Sequence, residues 1–598
     1  MPGSCVTEID ETGARSGEGS RRRDESSASA SDGSTIRWPV YEELVSRVNR
    51  EGSVACLEGY TLDHASFCEG LDEIVANGTF SPEDAEYVRR VVTSGADLGL
   101  DERLMRGKVV HRNYKSAYVH KEKVTNALRD RVSAGKTVKL GAFSGNPRDL
   151  PGENATVVPM GAVPKRLEKD KVRPFSDHTR SRLNAACRDT DRVRHTLDTY
   201  NEISTELKEG YGMRVEDVDS AFPVLPLAPR VWTYMLVWWF DVDRPLEEQD
   251  GPNTLYMHVF ADFGTGPLPG IWHLFWKAVK AVAVSRGVLT LPMPHYVDDN
   301  ALIGPDIEEV DAVGDRLSNF LRDLGVPFKQ LKSMRAALRQ LALGFWWDSV
   351  ERTRTLEESK LTSYVEFFRT MARRRVLTLS ELQSIAGRMH RASMTLPSGS
   401  RVFVASILAM LRGLKLPWHR RRVTTAARDD LRAIADILDA NAGRGYFDVS
   451  HLPWAPGVYT DAMKDSTRAG WGWCDETGAH EFGVYGSSMR HKHIDELEGD
   501  AVRRAAATRG HTWHGCRVPV YIDNSAFQLS LRKGWSRAAR LTRIIKDLFY
   551  MSAPHDYVLV PVWISTEGNV GADALSRGDL VRYQEWCRVR GALGGNLP

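Results

Sequence analysis

The chain has 598 residues, of which 42% are hydrophobic, and its formal net charge at neutral pH is +2. This length is too great for one ordinary domain, so we expect about two to four domains with folded cores. The small net charge excludes a uniformly basic protein, and the distribution of charge therefore matters more than its sum. No apolar run approaches a membrane span and the N-terminus is polar, so we expect an intracellular protein of the cytoplasm or nucleus with no membrane partner.

The first 150 residues carry no catalytic motif. Residues 1–35 are rich in Ser, Gly, Arg and Glu, cannot bury a core, and are predicted to form a disordered tail. Residues 36–150 are predicted to be a mainly helical extension, and Ser81-Pro82-Glu83-Asp84 is typical of a helix start. The seven cysteines form no Cys-x-x-Cys pair, which indicates reduced thiols and neither a disulfide framework nor a zinc site.

The most informative stretch is His295-Tyr296-Val297-Asp298-Asp299-Asn300. Apolar residues at 288–293 and 301–304 flank it, which predicts a strand, a tight turn and a second strand. Two adjacent carboxylates repel each other unless a cation lies nearby, and an all-oxygen site suits Mg²⁺. A solvated Asp-Asp turn is the alternative interpretation of this stretch taken alone.

A second acidic stretch lies upstream, and it reads Asp217-Val218-Asp219-Ser220-Ala221-Phe222-Pro223-Val224-Leu225-Pro226-Leu227. Asp-x-x-x-Ala-Phe-x-x-x-Pro-Leu followed by Tyr-x-Asp-Asp resembles reverse transcriptases. The resemblance implies that Asp217, Asp298 and Asp299 hold two Mg²⁺ ions, with Mn²⁺ as an alternative. It also implies that the chain extends a DNA primer on an RNA template with dNTPs. Two metals about 3.5–4 Å apart can activate the attacking 3′-hydroxyl and stabilise the leaving pyrophosphate.

The same resemblance assigns triphosphate contacts to a basic segment. Residues 162–174 resemble the fingers hairpin of the family, in which two basic side chains grip the triphosphate of the incoming nucleotide. Arg173 matches one of these roles, and either Lys165 or Arg166 matches the other. Cationic side chains suit this task because the triphosphate charge must be neutralised and oriented. A basic surface hairpin is the alternative.

Four further positions or segments match the family. Phe222 is implied to lie under the sugar and to exclude a 2′-hydroxyl, with a core phenylalanine as the alternative. Residues 263–270 resemble a motif near the nucleotide and template base, and residues 343–347 resemble the primer-grip hairpin. Lys332 is implied to lie near the leaving pyrophosphate.

Residues 356–450 are predicted to form helices of a thumb and connection. They are strongly basic, and clustered Arg and Lys suit the phosphate backbone of a template–primer duplex, although a solvated basic face is the alternative. The basic residues are Arg373, Arg374, Arg375, Arg388, Arg391, Arg401, Arg412, Lys415, Arg420, Arg421 and Arg422.

From about residue 455 the pattern changes to β-β-β-α-β-α-β-α, with acidic residues at element ends. This order resembles ribonuclease H, and the stretch at 569–577 resembles retrotransposon versions, notably the DIRS-like group. The resemblance implies a second pair of Mg²⁺ ions on Asp461, Glu498, Asp523 and Asp573, and an RNA–DNA hybrid as substrate. Glu496 is the alternative to Glu498. Gly499 is expected to weaken the helix that carries Glu498. The loop late in this segment carries no clear histidine, although many retroviral relatives have one there.

These patterns together predict an α/β (α+β) protein with a right-hand polymerase of fingers, palm and thumb, followed by a ribonuclease H-like mixed sheet. The predicted bounds are 1–35 tail, 36–150 extension, 151–355 fingers and palm, 356–450 thumb and connection, 451–580 ribonuclease H and 581–598 C-terminal tail. The implied protein is a retroelement reverse transcriptase with fused ribonuclease H, of the DIRS-like or long-terminal-repeat type. The rivals are an RNA-dependent RNA polymerase and an inactive, domesticated nucleic-acid-binding protein.

Overall fold

The structure is a computed structural model that describes residues 37–164, 172–187, 199–329, 334–395 and 402–592. Within these ranges the chain divides into two units. The first unit holds residues 37–207 and 211–337, and the second holds residues 208–210 and 338–592. The predicted tail at 1–35 and the predicted contacts Lys165, Arg166 and Lys332 lie outside the described residues.

The first unit mixes helices with two larger sheets and one short hairpin. Its helices are α1 Pro39–Glu51, α2 His64–Ala76, α3 Pro82–Ser94, α4 Lys115–Val119, α5 Lys121–Ser133, α6 Leu183–Ala186, α7 Thr199–Glu206, α8 Ala221–Val224, α9 Pro229–Trp232, α10 Leu268–Ser285 and α11 Ile307–Asp323. Its strands are β1 Lys108–Val110, β2 Thr137–Ala142, β3 Ala155–Val157, β4 Met160–Pro164, β5 Val172–Ser176, β6 Gly212–Asp217, β7 Leu236–Trp239, β8 Thr254–His258, β9 His295–Tyr296, β10 Asp299–Gly304 and β11 Met334–Ala337. The predicted helix start at Ser81 is confirmed, because its side chain accepts a hydrogen bond from the Asp84 N–H.

The segment predicted as a mainly helical extension supplies two strands of a five-stranded sheet, in the order β1-β3-β7-β8-β2. β2 pairs antiparallel with β8, which places Thr137 opposite His258. β8 is buried along its whole length. Residues 36–150 are therefore integral to the first unit, because β2 covers an edge of β8 that would otherwise expose unpaired backbone groups.

The second sheet carries the acidic stretches and has the order β11-β6-β10-β9. β6 and β10 run antiparallel, and β10 returns from β9 through the turn that contains Asp298. The helix α10 supplies a buried aromatic row, Trp272, Phe275 and Trp276, to the core of this unit. The strand–turn–strand predicted around Asp298 is present.

The strand predicted over 288–293 is wrong, because the chain has no regular structure there and β9 covers only two residues. The carbonyls of Pro292 and Pro294 accept hydrogen bonds from Ile303 and Ala301 of β10, at 3.0 and 2.9 Å. Proline has no N–H to return. The segment therefore lies along β10 without completing a strand ladder.

A second local prediction is half right. Residues 231–239 are predicted as one strand, but α9 occupies Pro229–Trp232 and β7 begins at Leu236. Pro229 stands in the first turn of α9, where its missing N–H costs nothing.

The second unit contains three sheets and ten helices among its described residues. Its helices are α12 Glu358–Arg373, α13 Leu379–Ala392, α14 Ala405–Leu411, α15 Thr425–Ala440, α16 Ser487–Arg490, α17 Ile494–Arg509, α18 Ser525–Lys533, α19 Ala539–Ser552, α20 Val570–Arg577 and α21 Leu580–Ala592. Its strands are β12 Arg339–Ala342, β13 Phe345–Asp348, β14 Thr353–Leu356, β15 Val376–Thr378, β16 Arg420–Arg422, β17 Arg444–Tyr446, β18 Val458–Lys464, β19 Ala469–Asp475, β20 His480–Val484, β21 Arg517–Ile522 and β22 Val558–Trp563. None of the helices described in either unit is long and apolar enough to cross a membrane.

The first sheet of the second unit has the order β12-β13-β14-β17, and β15 pairs with β16 in a separate two-stranded ribbon. The turn between β12 and β13 consists of Leu343 and Gly344, both with positive φ (52° and 79°), as a two-residue hairpin turn requires. The prediction that 356–450 is helical is wrong for three short strands in this segment, which are β15, β16 and β17.

The largest sheet of the second unit has the order β20-β19-β18-β21-β22. β18 pairs antiparallel with β19 and parallel with β21, so the sheet is mixed as predicted. The elements follow the predicted order, with both α18 and α19 between β21 and β22. The segment predicted as a tail from residue 581 instead continues as α21, whose Tyr583 is buried.

Candidate active sites

The first carboxylate group lies where β6 and β10 end together. Asp217 is the direct cross-strand partner of Asp299, so their side chains share one face of the sheet. Asp298 occupies the turn after Val297, whose φ is 57°, and its carbonyl accepts a hydrogen bond of 2.9 Å from the Val218 N–H. The fold thus brings the three predicted carboxylates to one sheet edge.

A lysine that the sequence analysis did not select lies beside this group. The Lys329 Nζ is 3.6 Å from Asp217 Oδ1 and 3.9 Å from Asp219 Oδ1. The Lys329 N–H also donates a 2.7 Å hydrogen bond to the Asp217 carbonyl. Lys329 and the predicted Lys332 belong to the same short basic run, so composition alone could not choose between them.

These residues fit a divalent cation by their chemistry. They offer carboxylate oxygens, which Mg²⁺ prefers, and Asp217 is only 4% exposed, so a neighbouring positive charge offsets the cost of burying it. The ammonium group of Lys329 supplies one such charge at the carboxylate edge. The oxygens of the three side chains do not all come within 4.8 Å of one another in the described residues.

Two tryptophans of α10 donate hydrogen bonds to residues on either side of the hairpin turn. The Trp272 Nε1 donates to the Val297 carbonyl at 2.7 Å, and the Trp276 Nε1 donates to Asn300 Oδ1 at 2.8 Å. The Asn300 Nδ2 in turn donates to the Asp298 carbonyl at 3.0 Å. These bonds fix the backbone on both sides of Asp298, which orients its carboxylate.

A buried lysine and histidine hold the short strand β9. The Lys280 Nζ lies 2.9 Å from the Met293 carbonyl and 3.0 Å from His295 Nδ1. Burial and the nearby Lys280 lower the pKa of His295 to about 2, so its imidazole is neutral and Nδ1 accepts a hydrogen bond from the Lys280 ammonium. Burial also lowers the pKa of Lys280 to about 8. These bonds anchor the segment that leads into β9.

Of the two predicted nucleotide contacts that the structure describes, Phe222 is buried and Arg173 is exposed. Phe222 is the second residue of α8 and is 8% exposed. Its ring packs edge-on against the rings of Phe263 and Trp272, with centroid distances of 5.2 and 6.4 Å. Phe222 belongs to the buried core cluster of the first unit, and its role as a gate stays a prediction. Arg173 is exposed on β5, opposite Val163 of β4.

The second carboxylate group is in the large mixed sheet of the second unit. Asp461 lies on β18, Glu498 on α17, and Asp523 directly after β21. One carboxylate oxygen from each of the three lies within 4.8 Å of the others, which among the described residues is the one such cluster of acidic, histidine or cysteine side chains. The structure therefore brings together three of the four acids selected from sequence. The alternative ligand, Glu496, instead pairs with Lys492 at 2.5 Å.

The electrostatics of this group are those of a site that a bound cation would stabilise. Burial and the neighbouring carboxylates of Asp461 and Asp523 raise the pKa of Glu498 well above its usual value. Burial raises the pKa of Asp461 to about 6, against a hydrogen bond from Ser576, and burial also raises the pKa of Asp523. Glu498 Oε2 is buried with no hydrogen-bond partner among the described residues. A divalent cation would satisfy this oxygen and offset the repulsion, so the residues fit Mg²⁺.

The fourth predicted ligand, Asp573, is held by two arginines. The Arg577 Nε lies 2.7 Å from one of its oxygens and the Arg582 Nη1 lies 2.6 Å from the other. Its charge still contributes to raising the pKa of Asp461, so it lies near the group. Sequence analysis missed Arg582 because α21 was interpreted as a tail. Asp573 thus forms ion pairs with Arg577 and Arg582 in this structure, and its metal-binding role stays a prediction.

The expectation that Gly499 weakens α17 has a packing counterpart. A Cβ at residue 499 would come within 2.8 Å of Phe527 Cε2 and 2.9 Å of Ile544 Cδ1. Glycine therefore lets α17 approach α18 and α19 closely, next to the metal-binding candidate Glu498.

We expect Gly499→Ala to lower the free energy of unfolding by about 1–3 kcal/mol, because overpacking outweighs the gain in helix propensity. The matched control is Gly387→Ala in α13, where a Cβ would meet no atom within 4 Å. That change should raise stability by roughly 0.5–1 kcal/mol. Urea unfolding of both variants measures the difference, and equal effects of the two substitutions would contradict the packing role of Gly499.

Comparison with known proteins gives a distant structural likeness and no sequence match. No protein-family model matches the chain, and no curated protein matches it. A solved structure of the foamy viral protease-reverse transcriptase dRH in complex with double-stranded DNA is 14% identical, covering 83% of this chain and 81% of that one, with a TM-score of 0.44.

Two further structures of the foamy viral protease-reverse transcriptase also resemble the chain. The complex with an RNA/DNA hybrid is 14% identical over 83% of this chain and 63% of that one, with a TM-score of 0.42. The complex with double-stranded DNA is 15% identical over 83% and 97% of the two chains, with a TM-score of 0.41. Likenesses this distant leave the assignment of function to the residues of the two carboxylate groups.

Proposed function

We propose that the chain is an RNA-directed DNA polymerase of a DIRS-like or long-terminal-repeat-type retroelement that also hydrolyses the RNA strand of RNA–DNA hybrids. The observation that carries the proposal is the pairing of Asp217 with Asp299 across β6 and β10, with Asp298 in the adjoining turn. This pairing puts carboxylates from two separate motifs of the sequence at one sheet edge. An Asp-Asp turn without function would not require the upstream acid.

In the proposed polymerase site, Asp217, Asp298 and Asp299 hold two Mg²⁺ ions, or Mn²⁺ in their place. Bound there, the ions would lower the pKa of the primer 3′-hydroxyl and stabilise charge on the leaving pyrophosphate. The role of the chain itself is orientation. Trp272, Trp276 and Asn300 fix the backbone of the turn, and the dNTP triphosphate is proposed to contact Arg173.

In the proposed nuclease site, Asp461, Glu498 and Asp523 hold Mg²⁺, and Asp573 joins them when its arginine contacts open. Their raised pKa values reflect three acids crowded into a partly dry site. The bound cations would activate water for attack on an RNA phosphodiester. Recognition of 2′-hydroxyl groups would confine cleavage to the RNA strand. We place this activity inside the cell, in the cytoplasm or nucleus.

Primer extension by the purified chain tests the proposal. The assay uses a DNA primer on an RNA template with Mg²⁺, and supplies either dNTPs or rNTPs. Extension with dNTPs is expected. Extension with rNTPs alone would instead indicate an RNA polymerase, and binding of template–primer without any extension would indicate an inactive nucleic-acid-binding protein.

We expect Phe222→Ala to raise the ratio of kcat/KM for rNTPs to that for dNTPs, because removing the ring makes room for a 2′-hydroxyl. Total activity should fall, since Phe222 packs against Phe263 and Trp272 and truncating a buried phenylalanine costs about 3–5 kcal/mol of stability. Phe263→Ala is the comparison variant, because that ring touches Phe222, is 45% exposed and belongs to the segment expected near the nucleotide, so a change confined to Phe222→Ala assigns the gate to Phe222. An unchanged ratio in Phe222→Ala would remove this residue from the gate role.

A further inference from the structure

The ribbon formed by β15 and β16 takes no part in either carboxylate group. Val376 pairs with Arg422, Leu377 with Arg421 and Thr378 with Arg420. Cross-strand partners share a face and successive residues alternate between faces. Leu377 is fully buried while Val376 is 40% exposed, so the face that carries Val376, Arg420 and Arg422 is the solvent face.

An exposed tryptophan stands next to this face. Trp418 precedes β16 by two residues and is 57% exposed. The backbone around it is fixed, because the carbonyls of Pro417 and His419 accept hydrogen bonds from Ser380 and Leu379 at 3.2 and 2.8 Å. A large indole is usually buried in a folded protein. Its exposure on an anchored turn makes the ring available for stacking. We call Val376, Trp418, Arg420 and Arg422 the basic ribbon.

The charge of the basic ribbon defines the ligand it suits. Arg420 and Arg422 are exposed, and neither has a carboxylate within 4.0 Å among the described residues. The neighbouring Arg374 contacts Glu381 at 3.3 Å, so the local acid is already used. Uncompensated guanidinium groups on an open face attract phosphate groups, and an exposed aromatic ring two residues before them in the chain can stack on a base.

We propose that the basic ribbon binds a single-stranded segment of nucleic acid, with Trp418 stacked on an unpaired base and Arg420 and Arg422 on nearby phosphates. A duplex would leave the indole without a partner, because its base faces are already stacked. The inference rests on the proposed function in taking nucleic acid as the ligand. It goes beyond that function by separating a single-strand surface from the duplex-binding role expected of the whole segment 356–450.

Binding of short oligonucleotides to the full chain tests this inference without any catalytic step. The probes are a fluorescently labelled 12-nucleotide RNA and a blunt 12-base-pair duplex of the same sequence, measured by anisotropy across a salt series. Trp418→Ala should weaken binding of the single strand about 5- to 150-fold, with an unchanged salt slope and little effect on the duplex. Trp418→Phe should retain most of the affinity, since a phenyl ring also stacks.

The arginines should act on the salt slope instead. Arg420→Ala combined with Arg422→Ala should reduce the slope of log K against log salt by about 1.4 for the single strand, at about 0.7 per phosphate contact. Arg421→Ala is the matched control, because Arg421 shares its face with the buried Leu377. Photocrosslinking with 4-thiouridine RNA, mapped by mass spectrometry, should mark Trp418.

Two results would overturn the inference. Equal losses for duplex and single strand would make the ribbon a duplex contact, and unchanged binding without a Trp418 crosslink would remove nucleic acid as its ligand, leaving a protein partner. Both results differ from a failure of the proposed function. In that case the parent chain would bind the oligonucleotides but would not extend a primer.

Discussion

Replacing Asp298 with Asn should slow primer extension on an RNA template by orders of magnitude. The side chain keeps its size, but the amide carries no negative charge and holds a divalent cation far more weakly than a carboxylate. The supporting bonds to this turn run through the backbone carbonyls of Val297 and Asp298, so they survive the substitution. Single-turnover extension with dNTPs and Mg²⁺ measures the loss directly.

Asp219→Asn is the matched control for this experiment. Asp219 is an exposed carboxylate near the same Lys329, but it lies beyond the end of β6 and outside the paired acids. We expect its variant to extend primers at close to the parental rate. Parental extension by Asp298→Asn would contradict the site assignment, whereas equal losses in the two variants would indicate a general effect of charge on this edge.

Asp523→Asn should abolish cleavage of RNA in an RNA–DNA hybrid and leave primer extension largely intact. Asp523 supplies one of the three clustered carboxylates of the second unit, and its segment is separate in sequence from Asp217 and Asp298. The Asp298→Asn chain provides the reciprocal control, since it should cleave the hybrid at the parental rate. Cleavage of a labelled hybrid and extension of a labelled primer, measured on the same preparations, give both rates.

The loss of cleavage in Asp523→Asn should not arise from unfolding. Burial raises the pKa of Asp523, so folding shifts this carboxyl toward its neutral form. When a carboxyl has a higher pKa in the folded state than in the unfolded state, the folded protein loses stability as the pH rises above the unfolded pKa of about 3.9. At neutral pH without metal, the neutral amide should therefore match or exceed the thermal stability of the parent. Hybrid cleavage by this variant at the parental rate would overturn the nuclease assignment.

The parts predicted well from sequence are those that local chemistry specifies. The turn at Asp298 follows from a short pattern of strand formers and turn residues. The hairpin at Leu343-Gly344 and the acids on β18, on α17 and after β21 are instead expected from the resemblance of short motifs to known families. The choice of Glu498 over Glu496 depended on spacing along one helix, and the structure places Glu498 in the cluster.

The parts that sequence could not predict depend on contacts between distant residues. The pairing of β2 with β8 turned an expected extension into part of a sheet, and no local pattern in residues 137–142 announces that partner. Lys329 and Arg582 acquire their roles from acids that the fold brings to them. The wrong prediction of a strand at 288–293 did not depend on distant contacts. The sequence itself shows Pro292 and Pro294, and prolines argue against a strand interior.

The interleaved strands of the first unit have a consequence during synthesis on the ribosome. β2 ends at Ala142 and its partner β8 begins at Thr254, so at 5–20 residues per second the edge of β2 waits roughly 6 to 22 s for its partner to be translated. The sheet of the first carboxylate group waits until β11 emerges, whereas the strands β18–β22 arise from one continuous segment. Nascent chains stalled before residue 254 should therefore recruit chaperones that shield unpaired edges, while an isolated 451–592 segment should fold without them.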